Sequence, residues 1–555
     1  MLEFLDYLSL GAYFLLLIGV VWFSSRRQST PTDYFLAGRD VGWFAIGGSL
    51  FASNIGSEHI VGLAGQGAST GLAMAHWELH AWLMITLGWV FVPFYHRSKV
   101  FTMPEFLERR FGPTSRWILT LVSLLAYVFT KVSVTIYAGA TVFQTLLPDT
   151  FGSPENAFWV GAFATVILTG IYTVFGGLRA VLFTDAAQAV VLLLGSAAIT
   201  AFGLNALGGW GELRQFASAN ASQLALWRPL SDPDFPWLGV VIASPIIGLW
   251  YWCTDQYIVQ RTLAARDLKT ARRGAIFGAF LKVWPVLIFL IPGLIGAALH
   301  QKGLLAIPLG SDGEPEGDRV FATMVAGLLP VGLRGVVVGG LLAALMSSLS
   351  SLFNSSSTLF TVDVYRKLRP EADNRRLVAV GRLVTLVIVA LGMLWIPVMK
   401  LISGGGLYQY LQSVQGYLAP PIAAVFLLGL FWRRANAVGA AWSLGTGFVL
   451  GLGKLTVQAL FGAEDGKFHD PWWLAAIGDY NFLYATGWLF LASTAVGIIA
   501  SLLSPPPPAK RLDGLCYATI DRAEVRASWN LWDVLATVVV LGLVLVFYLY
   551  FSFWI

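Results

Sequence analysis

Charge is what this 555-residue chain has least of: Asp, Glu, Lys and Arg together make 12%, about half of the roughly 25% found in an ordinary soluble domain. With 57% hydrophobic residues and a mean hydropathy of +0.70, a water-soluble globular protein is excluded and an all-α polytopic membrane protein is predicted. Room for a second, soluble module is lacking too. One crossing takes about 20 apolar residues, so fourteen take roughly 280 and leave only loops. Cysteine is nearly absent: Cys253 lies in an apolar stretch and Cys516 in a basic loop, which excludes a disulfide scaffold. A cleavable leader is also missing. The opening MLEFLDYLSLGAYFLLLIGVVWF has Glu3 and Asp6 where positive charge is required, and no small-residue cleavage site follows, so it is read as a first helix.

Apolar stretches long enough to span occur at about 4–24, 42–69, 72–95, 117–146, 157–175, 180–204, 237–259, 275–299, 333–361, 379–399, 406–431, 437–459, 482–503 and 531–553. An even count of fourteen places both termini on one side. Seven alternate loops, among them those with Arg97/Lys99/Arg109, Arg261/Arg266/Lys269 and Arg366/Lys367/Arg369, contain 26 basic residues against 7 in the others. That bias puts the basic loops in the cytoplasm and both termini outside, in a plasma or inner membrane. It also accounts for a net charge of +5 without a nucleic-acid partner. The outer loops around 205–236, 301–332 and 461–480 have room for short surface helices, and Pro505 to Pro508 form a stiff linker before an appended last span.

Two stretches make poor membrane helices. SLFASNIGSEHIVGLAG (49–65) puts Ser53, Asn54, Gly56, Ser57, Glu58 and His59 at mid-membrane depth, and SPIIGLWYWCTDQY (244–257) puts Pro245, Gly248, Thr254, Asp255 and Gln256 near it. Irregular backbone at that depth belongs beside a cavity or inside protein. Matching interruptions five spans apart point to an inverted-repeat transporter with a midplane site.

Ser347, Ser350 and Ser351 follow one another at i, i+3 and i+4 and share a helix face, with Ser348 adjoining. Hydroxyl oxygens suit a small hard cation; small residues equally let helices pack closely. Glu78 and Lys282 are charges within spans, functional or paired with each other. Asp185 reads either as a helix cap or as a cation ligand. Asp255 is expected to anchor the interrupted helix, and Glu58 receives no partner. His76-Trp77-Glu78-Leu79-His80 is not a zinc motif, because Glu78 lies about 200° round the helix from His76. Gly451-Leu452-Gly453-Lys454-Leu455 lacks the first Gly and the Ser/Thr of a phosphate loop. Without a metal cluster, a nucleophile–base pair or a nucleotide motif, an enzyme is not expected. Among the tryptophans, Trp252 beside Tyr251 is the candidate for stacking on a sugar ring.

Six segments, FLAGRDVGWFAIGGSLFASNIGSEHIVGLAGQGA, LGWVFVPFY, TMPEFLERRFG, YWCTDQYIVQRTLAA, LMSSLSSLFNSSSTLFTVDVY and APPIAAVFLLGLFW, stand in order from the second span to the eleventh. In these the chain resembles the sodium:solute symporter family, in its sodium–sugar cotransporter branch. The resemblance implies a LeuT-type fold of two inverted five-helix repeats. It divides the chain into 1–41 (extra helix and loop), 42–205 (first repeat), 206–431 (second repeat with outer loops) and 432–555 (three further helices). A main sodium site is implied at the carbonyls of Ala52, Ile55 and Ala344 with the hydroxyls of Ser347 and Ser348. A second, found in some relatives, would use Asp185, Ser347, Ser350 and Ser351. All four are present, which favours two sodium ions per cycle. The implied sugar site comprises Asn54, His59, Glu78, Tyr251, Trp252, Lys282 and Gln412, with Tyr251 as an inner gate. Two departures bear on the substrate: Gly248 stands where relatives place Thr or Asn, and His80 where many have Asn.

The expected activity is sodium-coupled uptake of a glucose- or galactose-like hexose by alternating access. A different small solute such as myo-inositol, sialic acid or an amino acid is the alternative, and a passive facilitator or a sensor the remaining ones. The partners expected are sugar, sodium and the lipid bilayer, with no obligatory protein partner.

Overall fold

The apolar runs fold as helices in the computed structural model, which describes residues 3–24, 30–56, 58–148, 150–310, 313, 315–402, 407–463 and 467–555. Ser57 and the Glu58 side chain, both assigned above to the first interruption, and Arg26 and Arg27 of the first basic loop lie outside this description. No strand forms among the described residues, and eleven of their helices are long and apolar enough to cross a membrane. Three of the fourteen expected crossings therefore do not appear as separate continuous helices.

The reasons are local. Helix α1 (Phe4–Ser24) is uninterrupted, whereas the next stretch is broken into α2 (Trp43–Asn54), a π-helical segment (Glu58–Leu63) and α3 (Ala64–Thr70). Residues 71–98 are broken further, into five short helical pieces. Helix α4 (Pro154–Leu207) merges two expected spans into 54 residues, about 80 Å at 1.5 Å per residue, more than twice a bilayer core. It bends at Gly177, whose φ of 54° and ψ of −164° divide it. A Cβ there would lie 2.7 Å from the Tyr34 carbonyl oxygen, so only glycine fits. The Tyr34 hydroxyl donates to the Val174 carbonyl at 3.2 Å, satisfying a group near the bend that the apolar surroundings leave without water.

The second interruption is framed by α5 (Trp237–Leu249) and α6 (Gln256–Leu263), with a π-helical segment (Trp250–Thr254) and an extended Asp255 between them. Pro245, inside α5, supplies no N–H to the ladder. Helix α7 (Leu268–Lys282) crosses α2, and α8 (Leu333–Thr358) packs along α4. At the first crossing Gly47 allows backbone approach: a Cβ would come within 2.7 Å of the Gly274 carbonyl.

The serine helix is the centre of the molecule. Ninety-four per cent of the apolar window of the Leu333–Leu368 span is buried, against 17% for α1 and 22% for the last helix, Leu531–Ser552. Short helices do occur in the loops around 205–236, 301–332 and 461–480, at Trp210–Ala219, Val320–Leu328 and Trp472–Asp479.

Candidate functional site

One cavity lies between the two interruptions. Asn54, His59, Glu78, Tyr251, Trp252, Lys282 and Gln412, scattered over more than 350 residues of sequence, all line it. The Lys282 Nζ is 2.5 Å from Glu78 Oε2, both side chains being 1% exposed, and His59 Nε2 is 3.6 Å from Glu78 Oε1. Asn54 Nδ2 donates to the Tyr251 hydroxyl at 3.2 Å. That leaves Asn54 Oδ1, together with Gln412 Oε1, buried without a hydrogen-bond partner among the described residues. Unmet acceptors in a buried wall are costly unless a ligand supplies donors. Tyr251 presents its ring to the cavity, while Trp252, only 1% exposed, meets it edge-on at 5.0 Å and lies 5.7 Å below the Lys282 ammonium.

Lys131, not singled out by its sequence context, also lines the cavity. Its ammonium is 2.5 Å from Asp255 Oδ2 and within 5.2 Å of the ring centroids of Tyr127, Trp250, Tyr251 and Tyr257. Asp255 also caps α6 through the Tyr257 amide and accepts from the Tyr127 hydroxyl. The anchoring role expected for Asp255 is what its contacts describe. Two charges within apolar spans were the available signal for this pair. His80, Thr135, Ile247, Gly248, Leu352 and Gln415 complete much of the remaining wall.

The break after α2 frees backbone oxygens for a cation. In a continuous helix the Gly56 amide would close on the Ala52 carbonyl and the His59 amide on that of Ile55; they donate instead to Asn54 and Gly56, both at 3.0 Å. Helix α8 faces this break, with Ala344, Ser347 and Ser348 fully buried. The Ser348 hydroxyl donates to the Ser53 carbonyl at 3.2 Å, which brings α8 against the broken segment that carries Ala52 and Ile55.

Asp185 is buried beside them and caps nothing. Its carboxylate accepts from Ser347 at 2.6 Å, Ser49 at 2.6 Å and Ser53 at 2.9 Å. Ser351 lies 3.1 Å from Ser53, and Ser350 donates to the Ser347 carbonyl at 2.9 Å. One neighbour corrects the sequence reading. Arg261, counted above in a cytoplasmic loop, continues α6 and is 1% exposed; its guanidinium is 3.7 Å from Asp185 and donates to Ser49, Ser53 and Ser351. Arg110 and Arg272, which also fall between the expected spans, are likewise buried, on backbone carbonyls. An arginine with this many acceptors is stable where a loop arginine would face water.

Comparison with known proteins decides the family. The model of the sodium:solute symporter family matches residues 34–447. The chain belongs to that family. Sodium/glucose cotransporter 1 of Oryctolagus cuniculus is 38% identical to the symporter over 546 residues, covering 93% of this chain and 81% of the relative. The sodium/myo-inositol cotransporter of Canis lupus familiaris is 38% identical over 550 residues, covering 92% and 75%. A solved structure of a Na+-coupled sialic acid symporter, in a substrate-bound outward-open state, superposes with a TM-score of 0.73 at 25% identity, over 91% of this chain and 99% of that one. The symporter is thus a multi-pass sodium-coupled solute transporter and not an enzyme.

Proposed function

We propose that the symporter couples inward movement of sodium to uptake of a neutral polyhydroxylated ring, a glucose- or galactose-like hexose. The observation that carries this reading is the charge balance of the cavity. Both of its ammonium groups are already matched, Lys282 by Glu78 and Lys131 by Asp255, each at 2.5 Å. An anionic sugar acid or a zwitterionic amino acid would need a charge left over, and breaking a buried pair to provide one is expensive. A polyol needs only donors and acceptors, which Asn54, Gln412 and Tyr251 supply. myo-Inositol satisfies the same balance and is the second reading, favoured by the relatives named for it.

Coupling follows from one short segment. The sodium ligands Ala52 and Ile55 and the sugar ligands Asn54 and His59 alternate on the broken chain, so an ion that ties this segment to α8 also orders the groups that meet the sugar. Sodium binding therefore favours the outward-open state with a formed sugar site; inward opening parts the two elements and releases both, with Tyr251 as the gate. The finer assignments carried by the same reading are fourteen crossings in a LeuT-type arrangement with repeats at 42–205 and 206–431. They further include both termini outside the cell membrane and a second sodium at Asp185, Ser347, Ser350 and Ser351.

The test is uptake of labelled glucose, galactose and myo-inositol into proteoliposomes with an inward sodium gradient and a negative-inside potential, against a potassium control. Sodium-dependent accumulation of a hexose above the outside level, lost in Gln412→Ala, is the expected result. Accumulation of inositol alone selects the second reading, and uptake indifferent to sodium overturns the coupling.

A further inference from the structure

The kink in the third expected span, 72–95, puts an unassigned histidine into the cavity wall. His80 sits between two short helices, Ala75–Glu78 and Ala81–Thr86, where its carbonyl takes the Leu83 amide at 2.8 Å. Its ring is 4% exposed and lines the cavity. The Nε2 is held by the Ser244 hydroxyl at 2.7 Å. The Cε1–Nδ1 edge of the ring rests on Gly248, one turn along the same helix face as Ser244: a Cβ on Gly248 would run into Leu83 Cδ1 and lie 2.7 Å from His80 Cε1 and 2.8 Å from Nδ1. Gly248 itself lines the cavity, so the missing side chain is a notch through which the imidazole reaches the wall. Nδ1 has no hydrogen-bond partner among the described residues.

We propose that His80, clamped by Ser244 and seated in the notch of Gly248, makes a direct hydrogen bond to one ring hydroxyl of the substrate and sets which polyol is preferred. The inference rests on the reading of the cavity as a polyol site. A hydroxyl is the matching group because it both donates and accepts. Whichever ring nitrogen carries the proton, Nδ1 finds its complement in a hydroxyl, whereas a carbonyl or an ammonium answers only one tautomer. Glycine at 248 and histidine at 80 are then one unit, since neither a larger residue at 248 nor a shorter one at 80 keeps the imidazole at the surface.

Competition of each monodeoxy hexose, and of the epimers, against labelled hexose uptake is measured for the unaltered protein, His80→Leu, Gly248→Thr and the double variant His80→Ala/Gly248→Thr. The unaltered protein discriminates against the analogue lacking the hydroxyl that meets His80. In His80→Leu that discrimination disappears and the others persist; the parent sugar weakens by about 10-fold, the worth of one hydrogen bond, while the sodium concentration for half-maximal uptake stays put. Gly248→Thr alone blocks uptake, because its side chain meets both the His80 ring and the end of Leu83; His80→Ala restores it by vacating the ring volume, into which the Leu83 methyl end can also turn, which shows that loss in the single variant is not misfolding. An unchanged deoxy ranking in His80→Leu, or a uniform loss together with a shifted sodium dependence, overturns the contact. No sodium-dependent polyol uptake by the unaltered protein overturns the reading of the cavity, and the contact with it.

Discussion

A charge buried beside its partner is tolerated; the same charge left alone is not. Lys282 and Glu78 are both 1% exposed and 2.5 Å apart, so replacing Lys282 takes the ammonium from a buried carboxylate that also lies 3.6 Å from the His59 ring. Lys282→Met is expected to destabilise the protein by about 3–5 kcal/mol, read as a fall in the melting temperature of detergent-purified protein. The double variant Glu78→Gln/Lys282→Met removes both charges and recovers most of that stability, yet it does not recover sugar uptake, because the polar groups that meet the substrate have changed. Equal melting of the single variant and the unaltered protein would show that Glu78 finds another partner. Ser348 gives a second test at this scale. Its hydroxyl stands between α8 and the Ser53 carbonyl, so Ser348→Ala should raise the sodium concentration for half-maximal uptake by about 10-fold and leave sugar affinity unchanged at saturating sodium. Full uptake at low sodium in that variant removes Ser348 from the main site.

At the scale of elements, the two interruptions were legible because polar and small residues at membrane depth are costly unless they face a cavity or the protein interior. The cavity wall was legible only through family resemblance, since its residues come from segments far apart in sequence. What the sequence concealed has physical causes. Among the described residues π-helical segments occur at 58–63, 87–91, 127–132, 250–254, 286–290 and 359–365; an i to i+5 turn needs no special residue, so hydropathy does not mark it. The bend at Gly177 falls in the gap between the spans expected at 157–175 and 180–204, so the break was legible; that the helix runs on through it was not, because one glycine at positive φ replaces the expected loop. Arg261 was misplaced because a cation at the end of a hydrophobic window reads as a loop, and its acceptors Asp185 and Ser351 lie 76 and 90 residues away. The bend itself is testable. Gly177→Val forces a side chain onto the Tyr34 carbonyl, and should lower both stability and the yield of folded protein, while Gly453→Ala, with nothing within 4 Å, should leave them unchanged.

For the whole molecule the open quantity is how far uphill it moves its substrate. A potential of about 100 mV is worth roughly 2.3 kcal/mol per charge, and a tenfold sodium gradient adds about 1.4 kcal/mol. One ion thus supplies roughly 3.7 kcal/mol and two roughly 7.4, limiting sugar ratios on the order of 10² and 10⁵ respectively. The second ion has a resident to contend with, because the Asp185 carboxylate already holds three hydroxyls and lies 3.7 Å from the Arg261 guanidinium. On the two-ion reading Arg261 withdraws for sodium to enter, and the cluster would serve as a second ion site in states where α6 has moved away from α4. Reversal potentials decide the number: a tenfold change in the sugar gradient shifts the potential by about 59 mV when one charge accompanies each sugar and about 30 mV when two do. The two-ion reading predicts the smaller shift for the unaltered protein and the larger for Asp185→Asn with uptake retained. A shift of about 59 mV in both would make Asp185 and Ser351 a purely structural clasp for Arg261, and would leave the sodium between α2 and α8 as the sole driving ion.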